Sequence, residues 1–249
     1  MNGKLFVCKV TFGAEPKGYE IWEFKQKKRG KKMERKKTMT EGLALLAAFI
    51  LWTVLICTVD VRAIGPEGTK VGFAALNGWF HQMTGVHWPI YTVTDWLGLV
   101  PILICAVFGV IGLIQWIRRK NMLKVDADIL LLGVYYILVI LGYLLFEMIP
   151  INYRPVLVEG YLEASYPSST TLLVLSVMPT LAFQAKRRVK NKNTRFALIL
   201  FSILFSAFMV IGRTVAGVHW LTDIIGAALL SAGLYRLYTA SVFLAERKR

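Results

Sequence analysis

The stretch MVIGRTVAGVHWLTDIIGAALL, residues 209–230, places Arg213, His219 and Asp223 in sequence that is otherwise apolar. An ionisable side chain at the centre of a bilayer costs on the order of 2.5–3.5 kcal/mol on insertion scales, so its presence in a membrane segment marks a functional site by default. A structural polar network and a proton relay are the alternatives. His219 and Asp223 are four residues apart and share one face if the segment is helical. A carboxylate so placed accepts the proton of one imidazole nitrogen and leaves the other as a lone pair aimed at a substrate, the orienter-plus-base logic of nucleophilic sites. Arg213, just before, supplies a planar fork suited to phosphate oxygens.

Around this stretch the sequence is that of an integral membrane protein. Of its 249 residues 56% are hydrophobic, and the apolar runs exceed what the core of a soluble domain of this size would bury. Long runs lie at about 43–59, 96–117, 129–149, 168–185 and 196–212, and another, interrupted by His219, Asp223 and Arg236, at about 219–245. Each is near the roughly 20 residues that a helix needs to cross a bilayer. The expected fold is all-α, a polytopic membrane protein with six transmembrane helices.

A formal net charge of +15 raises the question of nucleic acid, which the positions of the basic residues decide. They fall in alternate connections: Lys4 to Lys37 before the first run, Arg118, Arg119, Lys120 and Lys124 after the second, Lys186 to Arg195 after the fourth, and Arg247, Lys248 and Arg249 at the end. The connections between hold Arg62 and Lys70, then Arg154, then Arg213. By the positive-inside bias both termini are cytoplasmic, and residues 60–95, 150–167 and 213–218 face outward. The charge orients the chain, and no nucleic-acid partner is expected.

Two regions follow: a basic cytoplasmic segment, 1–38, expected to be disordered, and a membrane domain, 39–246. The run KQKKRGKKMERKK (25–37) before the first span would be attracted to anionic headgroups by about 1 kcal/mol per basic side chain. Met33 stands as an alternative start, and no cleavable signal peptide is expected, because the first apolar run lies far in and lacks a small-residue cleavage site. The aromatic segment 72–96, broken by Gly and Pro, suits the membrane interface and a short surface helix better than a span. GVHW occurs at 85–88 and again at 217–220; the first copy has Tyr91 where the second has Asp223, and the echo reads as chance. Cys8, Cys57 and Cys105 form neither a disulfide framework nor a metal spacing, so no metal or cofactor is expected. His81 and His87 read as interfacial packing residues, and Asp60 and Asp95 as span ends.

A second polar segment, INYRPVLVEGYLEASYPSSTTLL (151–173), carries Arg154-Pro155 and then Pro167-Ser168-Ser169-Thr170 at the start of the fourth span. A Pro-Ser-Ser start is a good helix N-terminus, and such a terminus presents free N–H groups and the positive end of the helix dipole to an anion. The topology puts Arg154, Ser168, Arg213 and His219 at one membrane face, where they can share a pocket.

These segments resemble the signature of the type 2 phosphatidic acid phosphatase superfamily of integral-membrane lipid phosphatases: Lys-x6-Arg-Pro, then Pro-Ser-Gly-His, then Ser-Arg-x5-His-x3-Asp. The third element stands as GRTVAGVHWLTD (212–223), with Gly212 in place of the serine. The resemblance covers roughly residues 40–245, and its first two elements are partial. It implies six spans with outward-facing motifs, His219 as the nucleophile that attacks phosphorus, Asp223 as its orienter, and Arg154, Arg213, Ser168 and Ser169 as holders of the phosphoryl oxygens. A phosphohistidine would then be hydrolysed by water, a reaction that needs mainly positioning and charge stabilisation.

Two departures bear on activity. Glu147 stands where the family has the lysine, and Thr170 where it has the histidine that protonates the leaving group. A threonine hydroxyl cannot donate a proton as an imidazole does, and general-acid help is worth about 10²–10⁴-fold. The enzyme is then dead, or Glu147, Glu159 or Glu163 substitutes, or the leaving group needs no proton, as for a lipid diphosphate whose departing phosphate has a second pKa of about 6. The expected function is hydrolysis of a lipid phosphate or polyprenyl diphosphate at the outer face of the plasma membrane. The rivals are a phosphotransferase acting on a polyprenyl diphosphate and a noncatalytic lipid-phosphate binder or transporter. Membrane lipids are the expected partners; the sequence does not give an oligomeric state.

Overall fold

The computed structural model describes residues 17–246; residues 1–16 and 247–249, with Cys8 and the last three basic residues, lie outside it. The chain forms eight α-helices and one two-stranded hairpin among the described residues. They are α1 (Lys17–Thr58), the antiparallel pair β1 (Arg62–Ala63) and β2 (Lys70–Val71), α2 (Ala74–Thr84), α3 (Trp88–Leu97), α4 (Leu99–Arg119), α5 (Ala127–Met148), α6 (Ser169–Arg188), α7 (Lys192–Val215) and α8 (Leu221–Ala245).

Five stretches among the described residues are long and apolar enough to cross a membrane: Met33–Thr58, Trp88–Arg119, Ala127–Met148, Lys192–Val215 and Leu221–Ala245. The chain is therefore a multi-pass membrane protein. The run expected at 168–185 is α6, 20 residues long and more polar than the others, ending in Lys186, Arg187 and Arg188. Its polarity follows from its position. α6 packs against α4, α5, α7 and α8, so Ser176, Thr180 and Gln184 are buried against protein. Thr180 and Tyr136 share a 2.7 Å bond, Gln184 donates to the Tyr238 hydroxyl at 2.8 Å, and Tyr135 donates at 2.9 Å to the backbone carbonyl of Ser176, whose own hydroxyl has no partner. Helices in lipid gain little from hiding apolar surface from one another, and such polar pairs hold them together.

α1 lies antiparallel along α8. Small residues let the two backbones approach: a side chain at Gly42 would meet Leu237 at 2.8 Å, and one at Gly233 would meet Leu46 at 2.7 Å. α1 begins at Lys17, so residues 17–38, expected from composition to be disordered, continue the first span as helix. Their Lys, Arg, Glu, Gln and Met are good helix formers, and the helix that follows supplies the nucleus that an isolated segment would have to make.

The aromatic segment 72–96 holds two helices. α2 is the short surface helix; α3 runs into α4 through Gly98, which keeps helical angles (φ −58, ψ −18), and so becomes part of a span. The two GVHW copies meet here, contrary to the reading of chance. Gly85 (φ +67) and Gly217 (φ +71) both have positive φ, a side chain at Gly217 would collide with the Gly85 carbonyl, and His87 N–H donates to the Ala216 carbonyl at 3.0 Å. This contact pins the start of α3 to the loop between α7 and α8.

At the opposite end of the bundle the helix ends are tied by ion pairs. Arg188 reaches Asp128 at 2.8 Å and Asp126 at 3.0 Å, Arg187 reaches Asp128 at 3.3 Å and Glu246 at 2.5 Å, and Arg119 reaches Asp126 at 2.9 Å. Hydrogen bonds from Arg119, Arg188 and Gln115 hold the Asp126 carboxyl below its usual pKa against the desolvation that opposes them. A cavity of about 260 Å³ lies among these residues, and every charged group lining it is paired, so that Arg187 and Arg188 of α6 join the start of α5 to the end of α8.

Candidate active site

Two connections and the helix α3 converge at the other end of the bundle. The loop from 149 to 168 is shaped by isolated bridges between Tyr153 and Ala164 and between Val158 and Tyr161; Arg154 N–H donates to the Glu163 carbonyl at 3.0 Å. The loop between α7 and α8 carries His219, held because Trp220 donates its backbone N–H to Asp223 Oδ2 at 2.9 Å and its indole N–H to the Tyr153 carbonyl at 2.7 Å. A carboxylate that reaches back from the first turn to the N–H before it is a helix-start device. α3 supplies the third side.

His219 is 3% exposed, Arg213 1%, and Asp223 and Ser168 not at all. The imidazole Nε2 faces Arg154 Nη1 at 3.2 Å and Arg213 Nη2 at 3.3 Å. A guanidinium can only donate, so Nε2 carries the lone pair and Nδ1 the proton. Nδ1 points to the Ser165 carbonyl at 3.2 Å, with Asp223 Oδ2 further off at 3.8 Å. The hydrogen-bond partner of Nδ1 is therefore a backbone carbonyl, and the carboxylate stands behind it. Asp223 Oδ1 in turn accepts from Asn152 Nδ2 at 3.2 Å. Burial, and then the charges of Arg154 and Arg213, push the His219 pKa well below the usual 6.5. The ring is held neutral and nucleophilic.

Arg213 sits in the last turn of α7, its guanidinium over the Tyr91 ring at 4.9 Å to the centroid and 3.5 Å from both Thr94 Oγ1 and Asp95 Oδ1. Its Nε is buried without a hydrogen-bond partner, a state that natural sites tolerate where a ligand completes the set. Arg154 pairs through Nε with Glu163 Oε2 at 2.9 Å.

A cavity of about 240 Å³ opens onto this cluster, lined by Arg154, Ser169 and His219 together with Glu147, Glu163 and Tyr143. Ser168 does not line it: as the residue before α6 it turns its hydroxyl to Thr171 Oγ1 at 3.0 Å and its N–H to the Asp223 carbonyl at 3.2 Å. Ser169 is the serine that faces the cavity. Thr170 lies in the first turn of α6 with its methyl toward Gly98, at the α3–α4 junction. Asp95, read as a span end, belongs to the site, as do Tyr91, Thr94, Asn152 and Ser165, which sequence reasoning passed over. The signal available for Asn152 was its place two residues before Arg154 in an otherwise apolar approach. His81 packs edge-on against Trp220 at 5.5 Å, the packing role expected of it.

Taken together, the cavity is lined by a neutral imidazole, the Arg154 cation and the helix start at Ser169, while Arg213 does not line it and stands buried behind His219; this is an anion site with a nucleophile in it.

The sequence profile described as PAP2 superfamily matches residues 143–247, which include Arg154, Ser168, Ser169, Arg213, His219 and Asp223. A search of curated proteins finds no match. Among solved structures the chain is similar to a transmembrane PAP2-type phosphatidylglycerolphosphate phosphatase from Bacillus subtilis, at 16% identity and a TM-score of 0.60, over 84% of this chain and 98% of that one. At that identity the likeness is one of fold.

Proposed function

Because the segment 143–247 belongs to the PAP2 superfamily, we propose that this chain is a lipid phosphatase that hydrolyses a lipid phosphate or polyprenyl diphosphate through a phosphohistidine. α6 then serves as the sixth span, both termini are cytoplasmic, and residues 39–246 form the membrane domain. The site faces the outer side of the plasma membrane, because the lysines and arginines gather at the other end. The observation that carries the reading is the pair of guanidinium groups set 3.2 and 3.3 Å from the lone-pair nitrogen of a buried histidine.

In this reading phosphate oxygens displace the arginine contacts from Nε2 and take them over. Nε2 attacks phosphorus in line with the leaving oxygen, the P–O bond breaks with its electrons on that oxygen, and the ring becomes cationic. The Ser165 carbonyl keeps Nδ1–H in place, and the Asp223 carboxylate stabilises the new charge. Water then attacks phosphorus, the P–N bond breaks, and neutral imidazole and inorganic phosphate result. Arg154, Arg213 and the first N–H groups of α6 beside Ser169 stabilise the equatorial oxygens, the main demand of phosphoryl transfer.

Position 170 lacks a proton donor for the leaving group. A diphosphate tolerates this; a monoester loses general-acid help of about 10²–10⁴-fold. That same feature favours, as a second reading, a lipid-phosphate binder without turnover. One experiment separates them: purified protein is incubated with radiolabelled phosphatidate and polyprenyl diphosphate, with acid-labile phosphoprotein and free phosphate as readouts. Labelled protein and phosphate release, both lost in His219→Ala, support the phosphatase. Labelled protein with transfer to an added alcohol identifies a phosphotransferase, and binding without either product leaves the binder.

A further inference from the structure

The cavity that opens onto His219 is lined by side chains of both charges. Arg154, His219 and Ser169 line it together with the carboxylates Glu147 and Glu163 and with Tyr143. Glu163 is occupied by Arg154 at 2.9 Å. Glu147 enters no ion pair among the described residues, and Tyr143 stands one turn earlier on the same face of α5 and lines the same cavity. An exposed carboxylate at the mouth of a phosphate site repels a second anionic group on the ligand. It attracts a hydrogen-bond donor, most strongly a cationic one.

Resting on the phosphatase reading, we infer that Glu147 is a specificity-determining residue, which selects a lipid phosphate carrying an ammonium group close to the phosphoryl group and selects against a diphosphate. The phosphoryl group meets Arg154 and His219, with Arg213 behind the ring, and the ammonium meets Glu147 in the same cavity. A hydroxyl in the same position gains less, because it brings no charge.

The matched probes are sphinganine 1-phosphate, N-acetylsphinganine 1-phosphate, which differs in having no ammonium, and farnesyl diphosphate. Phosphate release and equilibrium binding are measured in detergent micelles for the parent, Glu147→Gln and Glu147→Lys. The parent should prefer the ammonium probe over its N-acetyl counterpart by about fivefold, the scale of one partly exposed charge pair. Glu147→Gln should remove that preference, and Glu147→Lys should reverse it and favour the diphosphate. Equal ratios in all three proteins overturn the inference while leaving the phosphatase intact. Should no protein release phosphate while the binding ratios still follow residue 147, the inference stands and the phosphatase reading falls. Misfolding is excluded by the thermal midpoint and helical circular dichroism in the same micelles, which the substitutions of this exposed residue should leave in place.

Discussion

Arg213 Nη2 lies 3.3 Å from His219 Nε2, and the same guanidinium rests on the Tyr91 ring at 4.9 Å. The planar cation is thus clamped from one face and aimed with its edge at the lone pair. A point charge on a flexible stem cannot reproduce both contacts. Arg213→Ala and Arg154→Ala are each expected to lower kcat/KM by about 10²–10³-fold, as the loss of one transition-state donor does elsewhere. Arg213→Lys should recover little of it. Asp95, 57% exposed and 3.5 Å from Arg213, forms the kind of pair worth about 0–1 kcal/mol, so Asp95→Asn should cost less than about fivefold in the same phosphate-release assay.

The pH profile follows from the depressed pKa of His219. Burial first, then Arg154 and Arg213, hold it below 6.5. The neutral, nucleophilic form therefore persists below pH 6.5, and the acidic limb of kcat/KM should fall only as pH drops through the lowered folded-state value. Stability carries the same sign. The unfolded chain binds this proton near pH 6.5 and the folded one does not, so stability is complete above 6.5 and declines as pH falls beneath it. An acidic limb centred at or above 6.5 would contradict the assignment of His219.

Thr170→His should restore a proton donor at the first turn of α6. Monoester hydrolysis is expected to rise, by at most about 10²–10⁴-fold, with little change toward diphosphate. If diphosphate cleavage disappears instead, the threonine hydroxyl itself holds phosphate. Parallel progress curves on the two substrates distinguish these results.

The two positive-φ glycines, Gly85 and Gly217, differ in surroundings. Gly85 has open space where a side chain would go, whereas a side chain at Gly217 meets the Gly85 carbonyl. Gly85→Ala should therefore cost only the backbone strain of its φ +67, ψ −160 conformation, about 1–3 kcal/mol. Gly217→Ala must also push α3 away from the His219 loop, and should lower both the thermal midpoint and activity more strongly.

Orientation can be read with an impermeant thiol reagent on intact cells, in a background without Cys8, Cys57 and Cys105. A cysteine at Tyr161, 72% exposed, should label, and one at Lys190 should not. The reverse pattern would turn the protein over and put the site on the cytoplasmic side.

Helices were legible from the sequence wherever they face lipid, because lipid contact demands unbroken apolar runs. The run at 129–149 became Ala127–Met148, and that at 196–212 became Lys192–Val215. The merging of α3 with α4 was hidden because Gly and Pro break the segment 72–96, yet Pro89 falls in the first turn of α3, where proline is tolerated, and the helix runs on through Gly98. Within the site, Arg213, His219 and Asp223 announced themselves as charges in apolar sequence. Asn152 and the Ser165 carbonyl did not, since a neutral amide and a backbone oxygen acquire meaning only from what they touch. Ser168 misled for a related reason: spacing places it at the helix start, but its rotamer turns it to Thr171.

At 42 residues, α1 is about 63 Å long at the usual rise, roughly twice what a hydrocarbon core requires. A helix without a break carries orientation along its whole length. A folded domain grafted in helical register onto its N-terminal half would therefore be held rigidly to the bundle, and could serve as an alignment mark for imaging a membrane protein of only 28.1 kDa.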